Sequence, residues 1–112
     1  MCAKNRLGEI TDCVVAESRK IFGSKLNSVI LFGSYARGDY DGESDVDILI
    51  LVDLPMQEIA KQRTSIDTLC GDLLWKYGIV VSAIEKDTET YLRYASVLPF
   101  YKNIQREGVR IA

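Results

Sequence analysis

A chain of 112 residues, 47% of them hydrophobic, is the size of a single domain and carries enough apolar material for a core. Its 14 Lys and Arg against 16 Asp and Glu leave a formal charge of −2, which argues against a surface built to hold long nucleic acid by counterion release. Histidine is absent, so the commonest general base and the commonest zinc ligand are both missing, and any catalysis must rest on carboxylates, hydroxyls, cations or a bound metal.

Cys2, Cys13 and Cys70 are an odd, widely spaced set without a CxxC pair, which reads as reduced thiols of a cytoplasmic protein. No apolar run approaches the roughly 18 to 20 residues of a membrane span. The charges spread over residues 1–22 are unlike a signal peptide.

From about Asn5 to Phe22, Leu7, Ile10, Val14 and Ile21, joined by Cys13 and Ala16, recur at spacings of three and four and predict an amphipathic helix closed by Gly23. Leu26 to Phe32 reads as a short buried strand, and Gly33 to Arg37 as a tight turn opening a brief helix that Gly38 ends. The segment 39–44, DYDGES, is polar and loop-like, with Asp39, Asp41 and Glu43 as solvated charges. Asp45 to Val52 is the second strand. Val46, Ile48, Ile50 and Val52 line one face while Asp45, Asp47, Leu49 and Leu51 line the other. Apolar residues on both faces mark a central strand, covered on both sides except at the end that carries the aspartates. Pro55 breaks the chain, and Met56 to Tyr77 predicts one long helix with Ile59, Ile66, Leu69, Leu73 and Leu74 inward. A third strand over Ile79 to Glu85, a charged turn at Lys86 and Asp87, a helix from Thr88 to about Ala95 and a last short helix from Pro99 to Gly108 complete the pass. Helices between successive strands make an α/β or α+β sandwich with a small mixed sheet.

The chemistry is concentrated in LFGSYARGDYDGESDVDILILV, Leu31 to Val52. Asp45 and Asp47 are two apart, so on a strand they point to the same side with Cα atoms about 6 to 7 Å apart. Two such carboxylates repel each other unless a cation joins them, and one divalent ion could be shared between them. Gly33 and Ser34 form a turn with uncovered backbone N–H groups, which suits phosphate. Arg37, one turn further on, is placed to reach the same phosphates bidentately. Tyr35 sits near enough to stack on a base.

Gly33 and Ser34, a ten-residue spacer, then Asp45, Val46 and Asp47 resemble the nucleotidyltransferase signature of the DNA polymerase β superfamily, in which GS is followed at a distance by DxD. The order of helices and strands is similar to that superfamily's minimal members over nearly the whole chain. The resemblance implies a polymerase β palm-like fold and transfer of a nucleotide, most readily AMP from ATP, to a hydroxyl. It also implies two Mg²⁺ ions held by Asp45 and Asp47, with Gly33, Ser34 and Arg37 on the triphosphate. Minimal members resemble one half of a toxin–antitoxin module, paired with a helical HEPN protein and adenylylating its tyrosine. With a single domain there is little surface to hold an acceptor, so the acceptor should arrive on a partner. Phe100, Tyr101 and Ile104 in the tail either make that contact or pack on the sheet.

Catalytic members carry a third carboxylate on the third strand. Here that strand offers Ser82 near its middle and Glu85 at its end, which have opposite parity, so in an unbroken strand only one of them looks toward Asp47. A bulge would bring Glu85 round as the third catalytic carboxylate. With Ser82 in that place instead, the chain is a weak enzyme or a module that binds nucleotide and metal and acts through a partner protein.

Overall fold

The computed structural model describes residues 3–41 and 45–112, so Cys2 and, in the DYDGES loop, residues 42–44 with the Glu43 charge lie outside the described residues. Helix α1 (Ala3–Phe22) passes through a 3-10 turn at Gly23–Lys25 into β1 (Leu26–Phe32), followed by α2 (Ser34–Arg37), β2 (Val46–Val52), α3 (Met56–Ala60), α4 (Arg63–Tyr77), β3 (Val81–Asp87), α5 (Thr88–Tyr94), α6 (Pro99–Glu107) and β4 (Val109–Arg110). The four strands form one mixed sheet in the order β3-β2-β1-β4. β1 lies antiparallel to β2 and to β4, while β2 and β3 run parallel in continuous register. The parallel pair requires a crossover, and α3 and α4 supply it.

Alternation along β2 divides the core. Val46, Ile48, Ile50 and Val52 pack with Ile10 and Val14 of α1 and Ile66 and Leu73 of α4 on one face. Leu49 and Leu51 pack with Tyr91 of α5 and with Tyr101 and Ile104 of α6 on the other. Full burial of such side chains contributes about 1.5 to 3 kcal/mol each, which fixes the register, because a one-residue slip would turn both rows over. Asp47 thereby stands on the α5–α6 face at the end of the row that Leu49 and Leu51 fill. Of the three tail residues, Tyr101 and Ile104 are buried against the sheet and Phe100 is half exposed.

The structure departs from the sequence expectations at several points. The helix expected over Met56 to Tyr77 is two helices, because Gln62 N–H donates to Ile59 O at 3.0 Å and Gln62 O then accepts from Ser65 and Ile66, starting a new helix. The break falls in AKQRTS, where no side chain is buried to hold the helix straight and Thr and Ser compete for the backbone. Leu74 points outward, 46% exposed beside a nearly bare Trp75. β3 begins at Val81 and runs on through Lys86 and Asp87, with no turn there. Asp87 ends the strand and caps α5, its Oδ2 accepting from Thr90 N at 3.0 Å and from Thr90 Oγ1 at 2.6 Å. After Gly108 the chain adds β4 to the sheet edge, which its two residues were too few to announce.

Among the described residues no helix is long and apolar enough to cross a membrane, and Cys13 and Cys70 are free thiols.

Candidate active site

Gly33 is the hinge of the site. It stands between β1 and α2 with φ 76° and ψ −156°, a conformation that side-chain-bearing residues hardly adopt. Its carbonyl accepts from Ala36 N and Arg37 N, both at 3.1 Å, which closes α2 and leaves the first-turn N–H groups of Ser34 and Tyr35 without helical partners. The Asp47 carboxylate lies flush against the Gly33 Cα, in the space a Cβ would occupy. The cross-strand pairing of Phe32 with Asp47 makes this approach possible, because it sets the aspartate beside the end of β1 where the turn begins.

Asp47 is half buried, and its carboxyl is held above the usual range first by burial and then by the negative charge of Asp45, with Arg37 pulling the other way. Asp45 is exposed and lies just before β2 begins. The two carboxylates therefore feel each other, as the DxD spacing predicts. Arg37 is the positive charge of the cleft, held by Asp39 through Nε at 3.1 Å and by Glu107 through Nη1 at 3.4 Å. Both acids, Asp39 first, raise its already high pKa. Tyr35 stacks on Tyr40, ring centroids 4.3 Å apart and planes 10° apart, so one face of the ring expected to meet a base is already covered.

These groups open into a cleft of about 350 Å³ bounded by Gly33, Ser34, Arg37 and Asp47 on one side and by α6 on the other. Phe100, Asn103 and Glu107 of α6 form that second wall; the sequence offers Phe100 only as a partner contact or a packing residue, and it carries no signal for Asn103 or Glu107. Their spacing of three and four marks one helix face, but a polar helix face does not announce what it looks at. A larger depression, about 530 Å³, opens at the far end of the sheet between Asp53, Asp87 and Leu92. Asp53, Asp87 and Glu89 line it, with no basic residue in the lining among the described residues. Asp87 is committed to capping α5 and Glu89 to Arg93, so the phosphate chemistry rests with the smaller cleft.

Glu85 is not part of the cleft. The unbroken register sets Ser82 beside Asp47 and Glu85 beside Ile50, so Glu85 falls on the opposite face, under α4, and no bulge carries it round. It is 4% exposed, and its Oε1 has no hydrogen-bond partner among the described residues. Burial above all raises its pKa; Arg63 opposes this and Asp67 adds to it. A carboxyl whose folded pKa is raised stabilises the fold at acid pH, and that contribution is lost as pH rises through the raised value. Glu85→Gln is accordingly expected to raise the thermal midpoint at neutral and mildly alkaline pH, with the gain shrinking to nothing below the ordinary carboxylate range. Melting curves of both proteins across pH measure it.

Among the described residues no group of three or more His, Cys, Asp or Glu side chains could hold a metal ion. The Asp45 and Asp47 pair still fits a divalent cation, since burial first and the Asp45 charge second raise Asp47, and a bound cation would offset both. Oxygens of a bound substrate would complete the shell.

A family model described as a nucleotidyltransferase domain matches residues 15–109. The chain belongs to this family. A Methanocaldococcus jannaschii protein named "Putative protein adenylyltransferase" is 41% identical over 87 residues, covering 78% of this chain and 79% of its own length. A second of the same name and organism is 51% identical over 65 residues, covering 57% of this chain, which spans 63% of that relative. The nucleotidyltransferase fold is shared with a crystal structure of a toxin–antitoxin with AMP-PNP, TM-score 0.58 at 22% identity over 90% of this chain and 71% of the other. A mutant of the toxin–antitoxin MntA-HpeT gives a TM-score of 0.54 at 22% identity over the same shares, 90% and 71%. The expected nucleotidyltransferase fold with a small mixed sheet is what the chain forms.

Proposed function

We propose that this nucleotidyltransferase domain moves AMP from ATP to a hydroxyl, a tyrosine, on a helical HEPN-type partner in the cytoplasm, and so acts as the antitoxin of a toxin–antitoxin pair. The observation that carries the reading is the placement of Asp45 and Asp47 at the open end of β2, beside a guanidinium and a glycine turn whose first N–H groups have no helical partner. The adenylyltransferase relatives support the nucleotide and the toxin–antitoxin neighbours support the partner.

In this reading Gly33 and Ser34 cradle the triphosphate and Arg37 exchanges Asp39 and Glu107 for phosphate oxygens. Asp45 and Asp47 would hold Mg²⁺, which when bound would neutralise charge on the attacking and leaving oxygens. The acceptor oxygen forms a bond to the α-phosphorus while the bond from that phosphorus to the β-phosphate oxygen breaks, and pyrophosphate leaves with the electron pair. The hydroxyl proton passes to a base carried by the acceptor protein, because Ser82 stands where a third carboxylate would be. Catalysis is then mostly positioning and charge stabilisation by the chain.

That serine also favours a second reading, a module that binds nucleotide and metal without turnover and works through its partner. Labelled ATP, Mg²⁺ and the partner separate the two. Label is expected on the partner and is expected to fall about a thousandfold in the Asp45→Ala, Asp47→Ala double variant. Nucleotide binding without transfer under any pairing would leave only the module.

A further inference from the structure

Building on the nucleotide-binding reading above, we propose that the exposed stripe of α6 reads the base, with Asn103 as the residue that selects adenine over guanine. Phe100, Asn103 and Glu107 share one helix face and wall the cleft opposite Gly33 and Asp47. Glu107 is on Arg37, which marks the phosphate end. Asn103 lies one turn away, about 5 to 6 Å along the helix axis, which leaves room for a ribose between phosphate and base.

The orientation of the Asn103 amide is set, because its Oδ1 accepts from Arg106 Nη2 at 3.1 Å. One Oδ1 lone pair and the two N–H donors of Nδ2 remain. An acceptor beside a donor matches the N6–H and N7 edge of adenine, whereas guanine presents two acceptors there, O6 and N7, and would set an oxygen against Oδ1. Phe100 is 47% exposed, and its ring is held by Phe32 with centroids 5.7 Å apart at 89°, an edge-to-face contact compatible with an open face for stacking on any base. The two side chains divide the work, with Phe100 adding affinity without discrimination and Asn103 supplying discrimination.

Titration calorimetry with AMP-PNP and GMP-PNP in Mg²⁺ tests this. The unaltered chain is expected to bind AMP-PNP about tenfold or more tighter than GMP-PNP, the scale of one bidentate base contact. Asn103→Ala is expected to bring the ratio to within about threefold by weakening AMP-PNP. Phe100→Ala is expected to weaken both alike and keep the ratio. A ratio near one in the unaltered chain, or a ratio that survives Asn103→Ala, overturns the inference while leaving the proposed function standing. Failure of the unaltered chain to bind either analogue overturns both. Asn103 is exposed, and an unchanged melting curve for its variant shows that an altered ratio is not a loss of fold.

Discussion

Gly33→Ala is expected to lower stability by about 2 to 4 kcal/mol, a fall of roughly 10 °C or more in the thermal midpoint, and to remove nucleotide affinity at temperatures where the variant is still folded. Two costs add at one atom. The backbone at φ 76° and ψ −156° lies in a region open essentially to glycine alone, which accounts for about 1 to 3 kcal/mol. The new Cβ also meets the Asp47 carboxylate. Either the turn yields, and the N–H groups of Ser34 and Tyr35 lose their aim, or Asp47 swings away and the carboxylate pair opens. Both routes damage the site, so loss of binding should exceed what the drop in stability alone explains. Gly71→Ala is the control of opposite sign. Gly71 is exposed on α4 with nothing within 4 Å of an added Cβ, and alanine there should stabilise by about 0.5 to 1 kcal/mol. Denaturation curves of the three proteins with nucleotide titrations decide it. A Gly33→Ala variant as stable and as tight as the parent would mean that the turn does not hold the aspartate.

The parts of the fold legible in sequence are those that a short period writes. Alternation over Val46 to Val52 announces a strand covered on both faces, and the same alternation carries Asp45 and Asp47 to one side at its open end. Glycines at 33 and 38 bracket α2 for backbone reasons that any chain shares. What stayed hidden depends on contacts between distant segments. The apolar spacing of Ile59 and Ile66 continues across the break at Gln62, so periodicity cannot show that the helix restarts there. Glu85 and Ser82 differ by parity alone, and only the pairing of Asp47 with Ser82 tells which of them faces the cleft. The α6 wall is seventy residues from α2 in sequence at the Arg37–Glu107 pair. A half-site could thus be read from Leu31 to Val52, while its opposite wall waited on the docking of α6 over Leu49 and Leu51.

Asp47→Asn is expected to divide activity from stability, with transfer falling about a thousandfold or more while the metal-free fold becomes slightly more stable at neutral pH. Burial first, and then the charge of Asp45, raise the Asp47 pKa above its ordinary value. Such a group stabilises the folded state below the ordinary carboxylate range and loses that contribution as pH rises through its raised pKa. At neutral pH the ionised side chain therefore works against the metal-free fold, and asparagine removes the charge in the same volume. Asp47 is only half buried, so solvent screening keeps the gain small, up to about 0.5 kcal/mol, or up to roughly 2 to 4 °C. Mg²⁺ should reverse the order. A ligand that binds only the folded state raises its stability by mass action, so the midpoint of the aspartate protein should climb with added Mg²⁺ and nucleotide while that of the asparagine variant stays flat. Because metal binding requires the ionised carboxylate, this climb should strengthen as pH rises through the raised Asp47 pKa. Melting curves with chelator and with Mg²⁺, set beside the transfer assay, supply all three readouts. An asparagine variant that kept both the Mg²⁺ response and the transfer would take the metal away from Asp47, and with it the reason for two aspartates to share the open end of β2 at a cost to the fold.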